Sequence, residues 1–367
     1  MASPFTFTPG KAGDAYIDMH YVDEIVDNFN DPSSEKYVYK ILGLRGSGKS
    51  VVYSKVIRAL REDPGWKVYT LSSGNDPLQT LIGLMSKEDF ISSNERSVTY
   101  SAEGGVEGNV LFAKGSGKVS AEVKQSPNQH FYSSEAAIKE MMDVASEEGF
   151  KVLVGIDDIA KTKDMVRFLS IVGDMVLDDR KKIYLLCTGT SKNIEDFADE
   201  PHLSFFVRSD KIEIKELSIP QMTLKYGELL NAPVDEAKKL ALYTRGYAYA
   251  YQVVGELCYK YKTTELTRVE TEFDAAVADQ YDIIWGQLSD CERELVKAIV
   301  SSKSGETKDI KNRMDNSANY NALRARLNKK HLINTNERGI LTIDLPRFTE
   351  YVDMWHTEQE ILTSKDV

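Results

Sequence analysis

Residues 43–50 read Gly-Leu-Arg-Gly-Ser-Gly-Lys-Ser, and this octapeptide constrains the fold of the 367-residue chain more than any other segment. Residues 36–42 before it are rich in β-branched, aromatic and aliphatic side chains, which predicts a strand. Apolar residues at helical spacing follow it, from Val51 to Leu60. Strand, glycine loop and helix are the surroundings that the phosphate-binding pattern G-x-x-x-x-G-K-[ST] requires. The sequence therefore predicts a Walker A loop within an α/β domain.

The residue types of this loop suit the triphosphate of ATP. Such a loop directs several backbone N–H groups at one place, and the helix after it adds the partial positive charge of its N-terminus. We expect Lys49 to reach the β- and γ-phosphates and the Ser50 hydroxyl to bind Mg²⁺. The residues of this segment predicted to bind ATP are Gly43, Leu44, Arg45, Gly46, Ser47, Gly48, Lys49, Ser50 and Val51.

Composition argues against several other classes of protein. The formal net charge is −11, so the chain as a whole is not a generic nucleic-acid binder. No apolar run approaches the roughly 20 residues that span a bilayer, and the first residues lack the pattern of a signal peptide. The three cysteines lie far apart in apolar patterns, which predicts reduced thiols in a cytoplasmic protein: Cys187, Cys258 and Cys291.

Strands and helices alternate through residues 1–217, which predicts a P-loop ATPase core. Besides the first strand, strands are predicted at residues 67–72, 151–156, 183–187 and 211–214. The segment 151–156 is almost wholly apolar, as in a strand buried on both faces of a parallel sheet. We therefore expect a doubly wound parallel α/β sheet. Alternating residues at about 95–125 predict an inserted β-hairpin.

Two acids directly follow the apolar strand at 151–156. The carboxylate of Asp157 is expected to project at the carboxyl edge of the sheet, where open α/β sheets bind ligands. We interpret it as the Walker B acid that contacts Mg²⁺. Asp158 is the candidate to orient or activate the attacking water.

Two further strand boundaries supply catalytic candidates. Thr188 and Thr190 follow the strand at 183–187, and one of these hydroxyls would sense the γ-phosphate or hold the attacking water. Arg208 precedes the strand at 211–214, and its guanidinium is expected to stabilise transition-state charge on a neighbouring subunit's nucleotide. That role would require self-association. A threonine that merely ends a strand and a salt-bridged surface arginine are the open alternatives.

The second half of the chain is predicted to be helical. Residues 218–288 form a predicted lid that is rich in tyrosines. Most of these are expected to pack in its core with their hydroxyls at the surface, and stacking of one of them on adenine is the alternative. Residues 289–350 show three helices followed by a two-stranded hairpin around residues 336–339, which predicts a winged helix-turn-helix. Residues 351–367 are assigned to a C-terminal tail.

The predicted winged helix contains a basic stretch. Between residues 311 and 330 there are six cations and one acid, in an otherwise acidic chain. Recognition helices contact base edges from their N-terminal residues, while cations meet phosphates. The candidate DNA-binding residues are Lys311, Arg313, Asn316, Ser317, Asn319, Asn321, Arg324, Arg326, Lys329 and Lys330. Binding of a protein by the same module is the alternative.

These motifs resemble the AAA+/STAND-like ATPases, and more closely the bacterial and archaeal ATP-binding proteins that are like the origin-recognition initiators. The resemblance is carried by residues 43–50, Asp157-Asp158, Thr188-Gly189-Thr190, Arg208, Pro4-Phe5-Thr6, Thr244-Arg245-Gly246-Tyr247 and Gln252. It implies a five-stranded ATPase core, a helical lid, a winged helix, and ATP and Mg²⁺ as cofactors. It also implies that Arg245 contacts the γ-phosphate from the lid.

The chain departs from that family pattern at three places. The second Walker B acid is Asp158 instead of a glutamate, and the lid pattern Gly-Gly-x-Pro is replaced by residues 245–248, Arg-Gly-Tyr-Ala. A Gly-Arg after a Pro-Pro stretch is absent near the N-terminus. Because aspartate is one methylene shorter and a misplaced base loses rate, we expect ATP binding with slow hydrolysis.

The sequence is compatible with two functions. The first is a nucleotide-controlled ATPase switch coupled to a DNA-binding winged helix. The alternative is an ATP-dependent signalling or defence switch whose winged helix and hairpin insertion bind protein. A nucleotide kinase is the weakest interpretation, because the sequence shows no signature of an acceptor site.

Overall fold

The computed structural model describes residues 3–92, 99–100, 131–178, 181–302, 304–335 and 337–355. The predicted hairpin insertion at about 95–125 lies outside these residues, apart from the two-residue strand Thr99–Tyr100. Within the described ranges, no helix is both long and apolar enough to cross a bilayer.

The strands are β1 (Val38–Leu42), β2 (Trp66–Ser72), β3 (Thr99–Tyr100), β4 (Phe131–Tyr132), β5 (Lys151–Asp157), β6 (Ile183–Gly189), β7 (Asp210–Glu213), β8 (Ile333–Asn334) and β9 (Thr342–Ile343). The helices are α1 (Tyr21–Asn30), α2 (Lys49–Arg61), α3 (Pro77–Met85), α4 (Asp89–Ser92), α5 (Ser134–Glu147), α6 (Lys163–Val176), α7 (Ser191–Glu195), α8 (Ser204–Arg208), α9 (Ile219–Leu230), α10 (Val234–Tyr243), α11 (Ala248–Tyr261), α12 (Glu270–Gly286), α13 (Asp290–Ser301), α14 (Thr307–Asn312), α15 (Tyr320–Lys329) and α16, described over 348–355. Short 3₁₀ turns occupy Pro201–Leu203 and Leu266–Arg268.

These elements form two compact units. One unit comprises His20–Ile41 and Val52–Ile212, and the other comprises Met1–Met19, Leu42–Val51 and Glu213–Val367. The boundaries predicted at residues 217, 288 and 350 stay predictions.

A five-stranded parallel sheet in the order β2-β5-β6-β1-β7 confirms the predicted α/β fold. Strand β2 pairs with β5 from Trp66–Lys151 to Ser72–Asp157. Residues 152–156 of β5 and all of β6 are buried, as expected for central strands of a parallel sheet. Since parallel strands run in one direction, the carboxyl ends of β1, β5 and β6 lie at the same edge of the sheet.

Local signals explain where several helices begin and end. The Ser133 side chain accepts a hydrogen bond from the N–H of Ala136, and that of Thr162 accepts one from the N–H of Met165. These bonds satisfy N–H groups that the first turns of α5 and α6 would otherwise leave unpaired. Gly149 follows α5 with φ +80°, the left-handed conformation that commonly ends a helix.

The other unit is mainly helical. After α9–α12, the chain forms α13, α14 and α15 and then the antiparallel pair β8–β9, in which Ile333 faces Ile343. This is the order of elements predicted for the segment 289–350. Helix α16 extends into the segment predicted as a tail and buries Phe348, Tyr351 and Val352.

Candidate functional site

The glycine loop lies between β1 and α2, and α2 begins at Lys49. Gly46 and Gly48 have φ values of +78° and +100°, which side chains with a Cβ rarely adopt. The Nζ atom of Lys49 donates to the carbonyl oxygens of Gly43 (3.1 Å) and Leu44 (3.0 Å). All of the ATP-binding residues predicted in this segment therefore lie at one loop–helix junction.

Residues at the start of α11 hold this loop in place by hydrogen bonds. The Tyr247 hydroxyl donates to the carbonyl oxygen of Arg45 at 2.8 Å, and the Tyr249 N–H donates to the carbonyl oxygen of Gly46 at 3.0 Å. The Arg45 side chain in turn donates from Nε to Gln280 Oε1 on α12 at 3.2 Å. Two backbone carbonyls of the loop are thus fixed by residues about 200 positions away in the sequence.

The tyrosine hydroxyls differ from the sequence-based expectation. Tyr247 and Tyr251 pack in the helical core as predicted, but their hydroxyls bond backbone carbonyls inside the unit, those of Arg45 and Ala15. The expectation of surface hydroxyls was therefore wrong for these two residues. Burial raises the pKa of the Tyr247 hydroxyl, so it donates its proton at any physiological pH.

We expect Gly46→Ala to damage the loop. A Cβ at this position would lie 2.2 Å from the Tyr247 hydroxyl oxygen, and the left-handed backbone adds strain. The free energy of unfolding should fall by about 1–3 kcal/mol, and the affinity for ATP should fall with it. Urea unfolding and calorimetric titration measure both effects.

Gly83→Ala is the matched control for this substitution. Gly83 lies in α3, where an added Cβ would have no neighbour within 4 Å. Alanine there should be neutral or stabilise the protein by up to about 1 kcal/mol. Wild-type ATP affinity in the Gly46→Ala variant would show that the bound loop does not need this backbone conformation.

Arg245 has φ +51°, and its Nη1 donates to the carbonyl oxygen of Ile343 in β9 at 2.7 Å. It lines a small cavity together with Ser47 and Asp344. Among the described residues, the buried hydroxyl of Ser47 has no hydrogen-bond partner. Burial raises the pKa of the Asp344 carboxyl group. The predicted contact of Arg245 with a γ-phosphate stays a prediction.

The two candidate acids are linked by one threonine in the sheet-containing unit. Asp157 is the last residue of β5, and its Oδ1 accepts a hydrogen bond from the buried hydroxyl of Thr188 at 2.5 Å. The same hydroxyl oxygen accepts the N–H of Asp158 at 2.7 Å. Because a hydroxyl has one proton, Thr188 directs that proton at Asp157. These two hydrogen bonds allow Thr188 to hold both acids in fixed orientations.

Asp158 and Thr190 occupy positions set by local backbone geometry. Asp158 is exposed, and its φ of +54° turns it away from the strand direction. The Thr190 hydroxyl accepts the N–H of Asn193 at 3.2 Å and donates to its Oδ1 at 2.8 Å, so it caps α7. Of the two threonines considered from the sequence, only Thr188 contacts the acids.

Arg208 is the last residue of α8 and is exposed. Its Nε donates to the carbonyl oxygen of Ser204 at 3.3 Å, within the same helix. The position is open enough for contact with another molecule. Its predicted action on a neighbouring subunit stays a prediction.

The basic stretch divides into cations held by the domain and cations on its surface. Lys330 Nζ lies 2.8 Å from the buried carboxylate of Glu292, and Arg313 Nε lies 3.0 Å from Asp309. Lys311 Nζ lies 4.6 Å from the centre of the Tyr320 ring. Exposed residues at or on α15, or in the loop before it, are Asn316, Ser317, Asn319, Asn321, Arg326 and Lys329, with Arg324 partly buried.

Solved structures share this architecture. The Walker-type ATPase PABY2304 of Pyrococcus abyssi matches with a TM-score of 0.58 at 14% identity, over 95% of this chain and 99% of that chain. The ORC2 protein of Aeropyrum pernix, solved as ADPNP–ADP complexes, matches with a TM-score of 0.54 at 11% identity, over 97% of each chain. The chain has the fold of a Walker-type ATPase. No protein-family model and no curated protein matches the sequence.

The Walker-type ATPase fold agrees with the resemblance inferred from the motifs. At 11–14% identity, the likeness concerns the fold alone. The similarity therefore does not establish the activity of this chain.

Proposed function

We propose that this chain binds ATP and Mg²⁺ and hydrolyses ATP slowly, as a nucleotide-controlled switch. The observation that supports this most directly is the loop at residues 43–50, with two left-handed glycines and Lys49 at the start of α2. Backbone N–H groups in such a loop form a concave anion site, and the helix N-terminus favours negative charge. Residues 44–50 are only partly buried, so a ligand can reach them.

Ser50 and Asp157 are the residues proposed to hold magnesium. Hydroxyl and carboxylate oxygens are the hard ligands that this ion prefers, and the Thr188 hydroxyl holds the Asp157 carboxylate in one orientation. When bound, magnesium would neutralise charge on the β- and γ-phosphates.

The remaining proposed roles belong to side chains of this chain. Asp158 would orient the attacking water, Arg245 would contact the γ-phosphate, and Arg208 would act on the nucleotide of a second copy. Slow turnover is expected because Asp158 is short and exposed, and misplacement of a base by about 1 Å costs roughly 100-fold in rate.

Calorimetric titration with magnesium ATP tests the core of this proposal, followed by measurement of phosphate release. We expect saturable heat with one nucleotide per chain and slow release of phosphate. Folded protein that gives neither heat nor a thermal shift with ATP or ADP would overturn the proposal.

We further propose that α15 contacts DNA, with Arg326 and Arg324 directed at phosphates. The exposed polar residues near its start, Asn319 and Asn321, have the positions from which recognition helices contact base edges. The ion pairs of Lys330 and Arg313 limit the number of cations available for phosphates. This limit favours the alternative function, a switch whose winged helix binds protein.

A salt-dependent DNA-binding assay distinguishes these functions. The double variant Arg324→Ala/Arg326→Ala should lower the slope of log K against log salt concentration by about 1 for each lost phosphate contact, and weaken binding to all sequences. Arg58→Ala, which removes an exposed arginine from α2, is the control and should leave the slope unchanged. An unchanged slope in the double variant would leave protein binding as the better proposal.

A further inference from the structure

The sheet-containing unit buries a lysine that has no role in the proposed function. Lys40 lies in the middle of β1 with only 1% of its surface exposed. Its Nζ donates to the carbonyl oxygens of Phe206, at a very short distance, and of Val207, at 2.9 Å. A fully buried lysine is costly unless its ammonium group is well bonded. The contacts of Lys40 therefore need a structural or functional reason.

Both acceptor carbonyls belong to the last turn of α8, the helix that ends with Arg208. The last carbonyls of a helix have no partner within the helix, and a cation near them is favourable. Ser209 adds a second bond to the same turn, from its hydroxyl to the carbonyl oxygen of Phe206 at 2.8 Å. A five-residue helix is unstable alone, so such tertiary bonds fix its end.

Within the described part of the chain, no carboxylate forms an ion pair with the Lys40 ammonium. Burial lowers the pKa of Lys40 to about 8; Lys211 on β7 adds a smaller lowering, while Cys187 on β6 and Asp210 on β7 raise this pKa slightly. Near neutral pH Lys40 is thus mostly charged, and its Nζ donates to backbone carbonyls of α8. The lysine connects strand β1 to the helical turn that carries Arg208.

We propose that Lys40 is a positioning residue, which fixes the last turn of α8 and thereby sets the direction in which Arg208 reaches a neighbouring subunit's nucleotide. This inference rests on the proposed role of Arg208. It predicts that Lys40 matters in the subunit that supplies the arginine and not in the subunit that holds the nucleotide.

Mixed assemblies of variants separate these two roles. A nucleotide-binding subunit with Arg208→Ala is mixed with an activating subunit with Lys49→Ala, which retains Arg208. The mixture should hydrolyse ATP faster than either variant alone. Introducing Lys40→Met into the activating subunit should reduce this gain at least about tenfold, since a displaced catalytic group loses a large factor in rate.

The reverse placement is the control. Lys40→Met added to the Arg208→Ala subunit should leave the gain within about twofold, because that subunit has no arginine to position. Equal loss in both placements would show that Lys40 only stabilises the fold and would overturn the proposal, as would full activity with Lys40→Met in the activating subunit. Lys40→Gln, whose amide can donate to one carbonyl, should give an intermediate gain.

The outcome also separates failure of this inference from failure of the proposed function. If the first mixture shows no gain, Arg208 does not act between subunits and the inference about Lys40 falls. Calorimetric titration of the Arg208→Ala subunit with magnesium ATP still tests nucleotide binding by itself.

Discussion

Lys49→Ala is expected to lower the affinity for magnesium ATP by about 100-fold. The Lys49 ammonium lies against the loop, 3.1 Å from the carbonyl oxygen of Gly43 and 3.0 Å from that of Leu44. From there it would pair with the phosphates by charge-assisted hydrogen bonds, each worth about 1.5–3 kcal/mol. A 100-fold loss corresponds to about 2.8 kcal/mol, which one to two such bonds account for, and calorimetric titration of both proteins measures it.

The fold should survive this substitution. Lys49 is only partly buried, and the loop backbone remains fixed by Tyr247 and Tyr249 at the start of α11. We therefore expect the midpoint of thermal unfolding without nucleotide to shift by no more than a few degrees, while the stabilisation by added ATP disappears.

Lys239→Ala is the matched control, because it removes an exposed lysine from α10 in the same unit. It should change neither the affinity nor the thermal shift. If Lys49→Ala binds ATP as tightly as the wild type, Lys49 does not contact the phosphates and the assignment of this loop is wrong.

Asp157→Asn is expected to reduce ATP turnover by about 100- to 1,000-fold, because magnesium, which would stabilise the transition-state charge, would be held less well, and losing such stabilisation usually costs this much. The substitution is nearly isosteric. The asparagine carbonyl oxygen can accept the same hydrogen bond that the Thr188 hydroxyl donates to Oδ1 of Asp157 at 2.5 Å. The strand end and Asp158 should therefore keep their positions, so the loss would report the missing charge.

Binding measurements separate this charge effect from unfolding. The affinity for ADP without magnesium should change little, whereas the gain in affinity that magnesium provides should shrink. Asp164→Asn, at an exposed position in the first turn of α6, is the control and should leave turnover within about twofold. Wild-type turnover and magnesium dependence in Asp157→Asn would exclude Asp157 as a magnesium ligand.

Local signals in the sequence were sufficient to predict the parts of the fold that depend on neighbouring residues. The loop at 43–50 and the buried strand at 151–156 were both predicted, because each depends on a short pattern of side chains. Helix α3 was missed although its signal is present. Asp76 caps it and Pro77 is its first residue, a combination typical of a helix start.

The supporting contacts of the site could not be predicted, because they join residues far apart in the sequence. Tyr247 and the Arg45 carbonyl are separated by 202 positions, and Lys40 and the Phe206 carbonyl by 166. A lysine inside an apolar strand was a signal that something pairs with it, but its partners are backbone carbonyls, which no residue pattern marks. Similarly, the link from Thr188 to both acids depends on the pairing of β5 with β6.

The segment from Arg245 to Tyr249 bonds the glycine loop at one end and the backbone of β9 at the other. By thermodynamic linkage, if binding at the glycine loop changes an affinity at β9, binding at β9 changes the nucleotide affinity of the loop by the same factor. We therefore expect some substitutions in the β8–β9 hairpin, although remote from any bound phosphate, to change how tightly the protein retains nucleotide. A genetic selection for altered nucleotide retention should recover them. The positions of these substitutions would identify the residues of the hairpin that influence the glycine loop.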